Sequence, residues 1–253
     1  MRLGADNLTM LYAVSNQPPT ARRPATVLQR VQSRPVVLSD TLELSDRCML
    51  APATTPLPVN DDLKLKGDKP KLTDKQRLDL TSLEANQQRM VVGEIKADAT
   101  IMAALQDWGS RTEAQKLAVL RRIAALEGQV YHFTPAPMTL DRTMAKGDYG
   151  AYDGDARTIT LGAWGLADRE PRELVDTVIH EQLHALQHQR YTAMKAGKIA
   201  PHNPLNAQAR EWLYNSNHYH AFEQGPKAYR QQPVEAHAWD GAGAIVDAIF
   251  GAK

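Results

Sequence analysis

The chain has 253 residues, 43% of them hydrophobic and 23% charged, which excludes a wholly disordered chain or a collagen-like repeat. With 30 Lys and Arg against 29 Asp and Glu, the net charge of +1 gives no electrostatic case for nucleic acid or anionic lipid as a partner. One cysteine, Cys48, excludes an internal disulfide, and no run approaches the ~18 apolar residues that span a bilayer.

Met1 to Gln17 carries Asp6, Asn7 and Asn16, and its apolar stretch Met10 to Val14 is too short for an export signal. The protein is therefore expected to be made in the cytoplasm without a conventional signal peptide. Eight of the fifteen prolines precede residue 71, and Tyr12 is the one aromatic residue there. Residues 1–72 accordingly read as a proline-rich arm or linker, and residues 73–253 as the folded domain.

Thr73-Asp74-Lys75-Gln76 has the form of a capping box. Apolar positions from Leu78 to Leu105 then predict one long or broken helix ending near Trp108-Gly109, with Gly93 as the break. Ser110-Arg111-Thr112-Glu113 reads as a second capping box, opening a helix whose stripe Leu117, Leu120, Ile123 and Leu126 stops at Gly128. Alternation over Gln129 to Phe133 predicts a strand. Tyr149 to Tyr152 and Arg157 to Leu161 flank Asp153-Gly154 as a hairpin. Further helices are predicted from Pro171 to about Lys195, from about Leu205 to Phe222, and from Pro233 to Phe250. This order predicts an α+β domain, mainly helical, with a small antiparallel sheet or hairpin before the Pro171 helix.

That helix contains His180-Glu181-Gln182-Leu183-His184, an HExxH pattern. Spacing by four puts both imidazoles on one helical face, within reach of a single Zn²⁺, with Glu181 beside them to take a proton from an attacking water. His188 extends the row, but it stands ~12 Å along the axis from His180 and cannot share the metal. It is expected to give supporting contacts instead. A third ligand is sought downstream, and Glu235 is the choice, because Pro233 opens a helix that places it in the first turn. A glutamate there also suits helix capping. Glu223 is the weaker ligand candidate, and Asp240 is expected to orient a ligand. Tyr229, ahead of His218, Tyr219 and His220, is the candidate to stabilise an oxyanion. The strand Arg157 to Leu161 is a candidate edge for binding a substrate backbone. Cys48 could occupy the open metal position as a latency switch.

Two stretches, Thr177 to Gln187 and Tyr229-Arg230 with Pro233-Val234-Glu235 and Ala238, resemble the zincins of the His₂Glu, or gluzincin, kind. The HExxH-Ala-x-Gln form with a later Tyr-Arg-x-x-Pro-x-Glu is similar to bacterial metallopeptidase effector domains attached to type VI secretion spike proteins. The resemblance implies a zincin-like fold, zinc held by His180, His184 and Glu235, and Glu181 as general base. It further implies a peptide, protein or peptidoglycan-peptide substrate, a secretion spike or immunity protein as partner, and delivery into a target cell or periplasm as an antibacterial effector. The chain departs from the thermolysin form, which has Asp four residues after the ligand Glu; here Trp239 stands there and Asp240 follows. A peptide deformylase, which shares HExxH, would need an upstream cysteine in a Gly-Cys-Leu context that Cys48 lacks. The rival from another class is a catalytically silent zinc-binding scaffold or delivery protein, in which a closed site only ties helices together.

Overall fold

The computed structural model describes residues 70–167 and 170–252. The arm expected over residues 1–72 lies outside the described residues as far as residue 69, and Cys48 lies outside them with it. Helix α1 (Asp74–Ala97) starts on the expected box, in which Thr73 Oγ1 accepts from Gln76 N–H and the Gln76 side chain accepts from Thr73 N–H. The break before α2 (Ala99–Gln106) falls at Asp98, not at Gly93. Asp98 is extended, and its carboxylate accepts from the Thr100 and Ile101 amides at 3.0 and 3.1 Å. A capping carboxylate stops one helix and opens the next, whereas a lone glycine only lowers helix propensity.

Helix α3 (Glu113–Tyr131) is capped by Thr112 with Gln115 as its box partner, so Ser110 is not the cap. It also runs through Gly128 and takes up most of the strand expected over 129–133. Val130 and Tyr131 are buried on its core face, and the helix ends at His132 in the left-handed region. Their β-favouring side chains pack equally well on a helix once tertiary contacts decide.

The sheet comprises β1 (Met138–Asp141), β2 (Gly150–Asp153) and β3 (Thr158–Gly162), in the order β1-β3-β2. The β2–β3 pair is the expected hairpin, with Tyr152 opposite Ile159. β1 adds in parallel on the far side of β3, so the sheet is mixed rather than antiparallel. That placement makes β3 the central strand and removes it as an edge for strand addition. The outer edge beside the next long helix belongs to β2.

After the short α4 (Ala163–Leu166), helix α5 (Arg172–Lys195) runs through the middle of the molecule, packed on α3, β2, α6 and α8. Leu174, Val175, Val178, Ile179, Leu183 and Leu186 are all buried. Helix α6 (Pro204–Asn217) ends five residues earlier than expected, and a single 3₁₀ turn at Phe222–Gln224 and the short α7 (Pro226–Gln231) follow. Gln232 ties this stretch down. Its Oε1 accepts from Asn215 Nδ2 at 3.0 Å and His220 N at 3.1 Å, and its Nε2 donates to His220 O at 2.9 Å. Helix α8 (Pro233–Phe250) lies against α5 through Ala238, Gly241 and Ala242. A Cβ on Gly241 would stand 2.8 Å from Leu183 Cδ1, so a larger side chain there would have to displace the buried Leu183 side chain. The result is an α+β fold, mostly helical. Among the described residues, no helix is long and apolar enough to cross a membrane.

Candidate metal centre

The facing surfaces of α5 and α8 bring His180, His184 and Glu235 together. Spacing by four along α5 points both imidazoles the same way, and their Nε2 atoms stand 3.0 Å apart. Glu235, in the first turn of α8, reaches His180 Nε2 with Oε2 and His184 Nε2 with Oε1, each at 3.5 Å. Two N or O ligands each bonded at about 2.0–2.1 Å to one tetrahedral ion lie roughly 3.3 Å apart. The three separations bracket that value, with each imidazole facing a different oxygen of Glu235, and one donor atom from each residue lies within 4.8 Å of the others, so the group could hold a metal ion.

His180, Glu181, His184 and Glu235 are 1%, 0%, 2% and 0% exposed, so electrostatics here act in a poorly screened interior. Burial alone would raise the Glu235 pKa, but the two imidazoles and the Tyr219 hydroxyl, which donates to Oε1 at 2.8 Å, hold it down to about 2. Burial pushes His184 down to about 4 against the pull of Glu235, leaving a neutral imidazole of the kind a metal requires. Glu181 moves the other way. Burial, with the Glu235 charge nearby, raises it well above the ordinary carboxylate range, and a 2.8 Å hydrogen bond from Tyr152 N–H offsets only part of this. Its Oε1, together with Glu235 Oε2, His180 Nδ1 and the Tyr229 hydroxyl, has no hydrogen-bond partner among the described residues. Of these, Glu181 Oε1 and Glu235 Oε2 belong to the carboxylates of the cluster, and buried acceptors without partners are what a site shaped for an added group leaves behind.

The other expected residues sort by position. The Tyr229 hydroxyl is buried, and its pKa is raised by burial and then by the Glu235 and Glu181 carboxylates, so it stays a protonated donor. Tyr219, which sequence alone ranked below it, makes the direct hydrogen bond to the candidate ligand. His218 and His220 are exposed, and His218 stacks on Tyr214. Glu223 is exposed on the 3₁₀ turn and lies outside the cluster. Asp240 does not orient a ligand. It faces solvent and pairs with Arg230 at 3.6 Å, because a residue five after Glu235 points off the α5 side of the helix. Trp239, one position earlier, packs its ring on His180 at 4.7 Å between centroids, with Arg230 over its other side. His188 touches neither ligand histidine nor Glu181: the Tyr152 hydroxyl lies 3.3 Å from its Nδ1 and its ring stacks on Tyr191, while Glu181 is held by the Tyr152 backbone N–H.

Gln187 carried no expected role. It sits one turn after His184 on the same face, and its Oε1 lies 3.0 Å from His184 Nδ1. The i, i+3 spacing from a ligand histidine is the signal that would have found it. Compared with protein-family models, with curated proteins and with solved structures, the chain shows no significant match.

Proposed function

We propose that this chain is a zinc-dependent metallopeptidase with a zincin-like domain. The observation that carries the reading is the convergence of the His180 and His184 nitrogens and the Glu235 carboxylate at separations of 3.0 to 3.5 Å, beside a second buried carboxylate, Glu181. Zinc held by these three residues would polarise a scissile carbonyl and acidify an attacking water. Glu181, its Oε2 fixed by the Tyr152 amide, presents Oε1 to take the proton of that water and return it to the leaving amine. Tyr229, a buried donor beside both carboxylates, is suited to stabilise the oxyanion, while Tyr219 orients Glu235. A substrate backbone would add to the outer edge of β2 through the Gly150 N–H and C=O and the Tyr152 C=O, which alternation turns away from β3, the Tyr152 N–H being already taken by Glu181. The substrate class and delivery as an antibacterial effector, with a spike or immunity partner, rest on the motif resemblance alone.

The silent zinc-binding scaffold remains the second reading, and the near-total burial of all four groups favours it. One experiment separates the two. Metal content and peptide hydrolysis are measured together on wild type, Glu235→Ala and Glu181→Gln. The peptidase reading expects about one zinc per chain in wild type and Glu181→Gln, loss in Glu235→Ala, and hydrolysis by wild type only. Stoichiometric zinc without hydrolysis of any peptide or peptidoglycan substrate supports the scaffold. A wild type that takes up no zinc overturns both.

A further inference from the structure

We infer that Gln187, His237 and Glu84 form a directed hydrogen-bonded chain that positions His184 for its metal and links helix α1 to the centre. The inference rests on the metal reading above. Its polarity follows from one requirement. With Nε2 of His184 facing the other two ligands, its lone pair is directed to the ion, so the ring hydrogen is on Nδ1 and donates to Gln187 Oε1 at 3.0 Å. That fixes the Gln187 amide. Its Nε2 donates to Val234 O at 2.9 Å and to His237 Nδ1 at 3.0 Å. The flipped amide would set donor against donor at His184 and acceptor against acceptor at Val234.

His237 is thereby fixed too. Its Nδ1 accepts, so Nε2 carries the hydrogen, and this atom lies 3.5 Å from Glu84 Oε1. The carboxylate is itself anchored, accepting from Gln208 Nε2 at 2.6 Å, while Gln208 Oε1 accepts from Arg190 at 3.3 Å. The Trp212 ring packs on His237 at 4.7 Å between centroids and holds its plane. Every donor therefore points from the ligand toward Glu84, so the carboxylate's negative charge favours a more basic, rotationally locked His184. His180 Nδ1 has no hydrogen-bond partner among the described residues, and the Trp239 ring packs edge-on against this imidazole. The far end of the chain opens on a cleft of about 290 Å³, walled by Glu84, His237, Gln208 and Trp212. Substitution of Glu84 or His237 thus falls at a cleft wall rather than in the packed centre.

The test measures zinc affinity of the full chain by competition with a chromophoric chelator, alongside the apo-protein Tm and the Co²⁺ absorption spectrum. Gln187→Leu is expected to weaken zinc binding about 10- to 100-fold, with Glu84→Gln and His237→Phe each costing roughly threefold or more. His237→Phe keeps the packing on Trp212. In its background Glu84→Gln is expected to have no further effect on zinc affinity, because the chain is already cut. Altered Co²⁺ bands with an unchanged apo Tm mark a positioning role rather than a structural one. Wild-type affinity in both cleft variants, or equal effects of Glu84→Gln in both backgrounds, overturns the chain while leaving the metal reading intact. A wild type without zinc affinity overturns the metal reading itself.

Discussion

Glu181 and Glu235 are buried carboxylates on neighbouring helices, and their surroundings push them in opposite directions. Two imidazoles and a tyrosine hydroxyl favour the ionised form of Glu235, while Glu181 has a single amide and a like charge nearby. Divergent environments of this kind agree with the proposed roles, ligand for Glu235 and base for Glu181. Glu181→Gln is expected to keep its metal and lose hydrolysis by about 10²- to 10⁴-fold, the usual contribution of a positioned base, read as kcat on a responsive substrate. A third buried glutamate, Glu127 on α3, belongs to stability instead. It is fully buried, neither oxygen has a hydrogen-bond partner among the described residues, and burial raises its pKa well above the ordinary value. A carboxyl whose pKa is higher folded than unfolded leaves stability intact below about pH 4.3 and erodes it as pH rises toward the folded pKa. Glu127→Gln is therefore expected to raise Tm at pH 8 by more than at pH 4.5. Equal shifts at both pH values in calorimetry would show that Glu127 carries no such cost.

The α5–α8 contact is the structural basis of the site, since it carries two candidate ligands on one helix and the third on the other. Gly241 leaves room in it for the Leu183 side chain. Gly241→Val is expected to cost about 1–3 kcal/mol by overpacking against Leu183, measured by urea unfolding, and to weaken metal binding as Glu235 is displaced from the histidines. Much of this contact was legible in the sequence, because its parts are local. HExxH needs only the helical repeat, and Pro233 announces the helix that carries Glu235. What was not legible depends on distant pairing. β1 has only four residues and joins β3 in parallel across a gap that no local pattern marks. Val130 and Tyr131 carry strand-forming side chains, yet the core face of α3 claims them. Glu84 and His237 meet across more than 150 positions of sequence, and neither sits in a motif. Tyr219 lies in an irregular stretch after α6, where no periodicity shows which way a side chain faces.

Across the whole molecule, a metal bound by α5 and α8 ties the central helix to the C-terminal helix. An ion that binds the folded chain alone stabilises it by mass action, about 2.7 kcal/mol at a free concentration 100 times Kd. In a domain of this size each kcal/mol moves Tm by roughly 2–4 °C, so a zinc-loaded sample is expected to melt roughly 5–10 °C above one stripped by chelator. Coincident calorimetric transitions in the two samples would argue against binding at this place. The clasp made by Gln232 has a consequence of a different sort. It fastens residue 220 to residue 232 just before α8 begins, so the eleven residues between them form an excursion closed at its base, whose second half also packs on α8 through Tyr229 and Arg230. Loop-closure entropy grows only with the logarithm of length, about 0.6 kcal/mol per doubling. Segments inserted near Gly225 should therefore be absorbed with little loss of stability and without moving Glu235. Tyr229 lies inside the excursion and packs on Phe222 across Gly225, so length variation here would shift its hydroxyl relative to Glu235 while leaving His180, His184 and Glu235 in place.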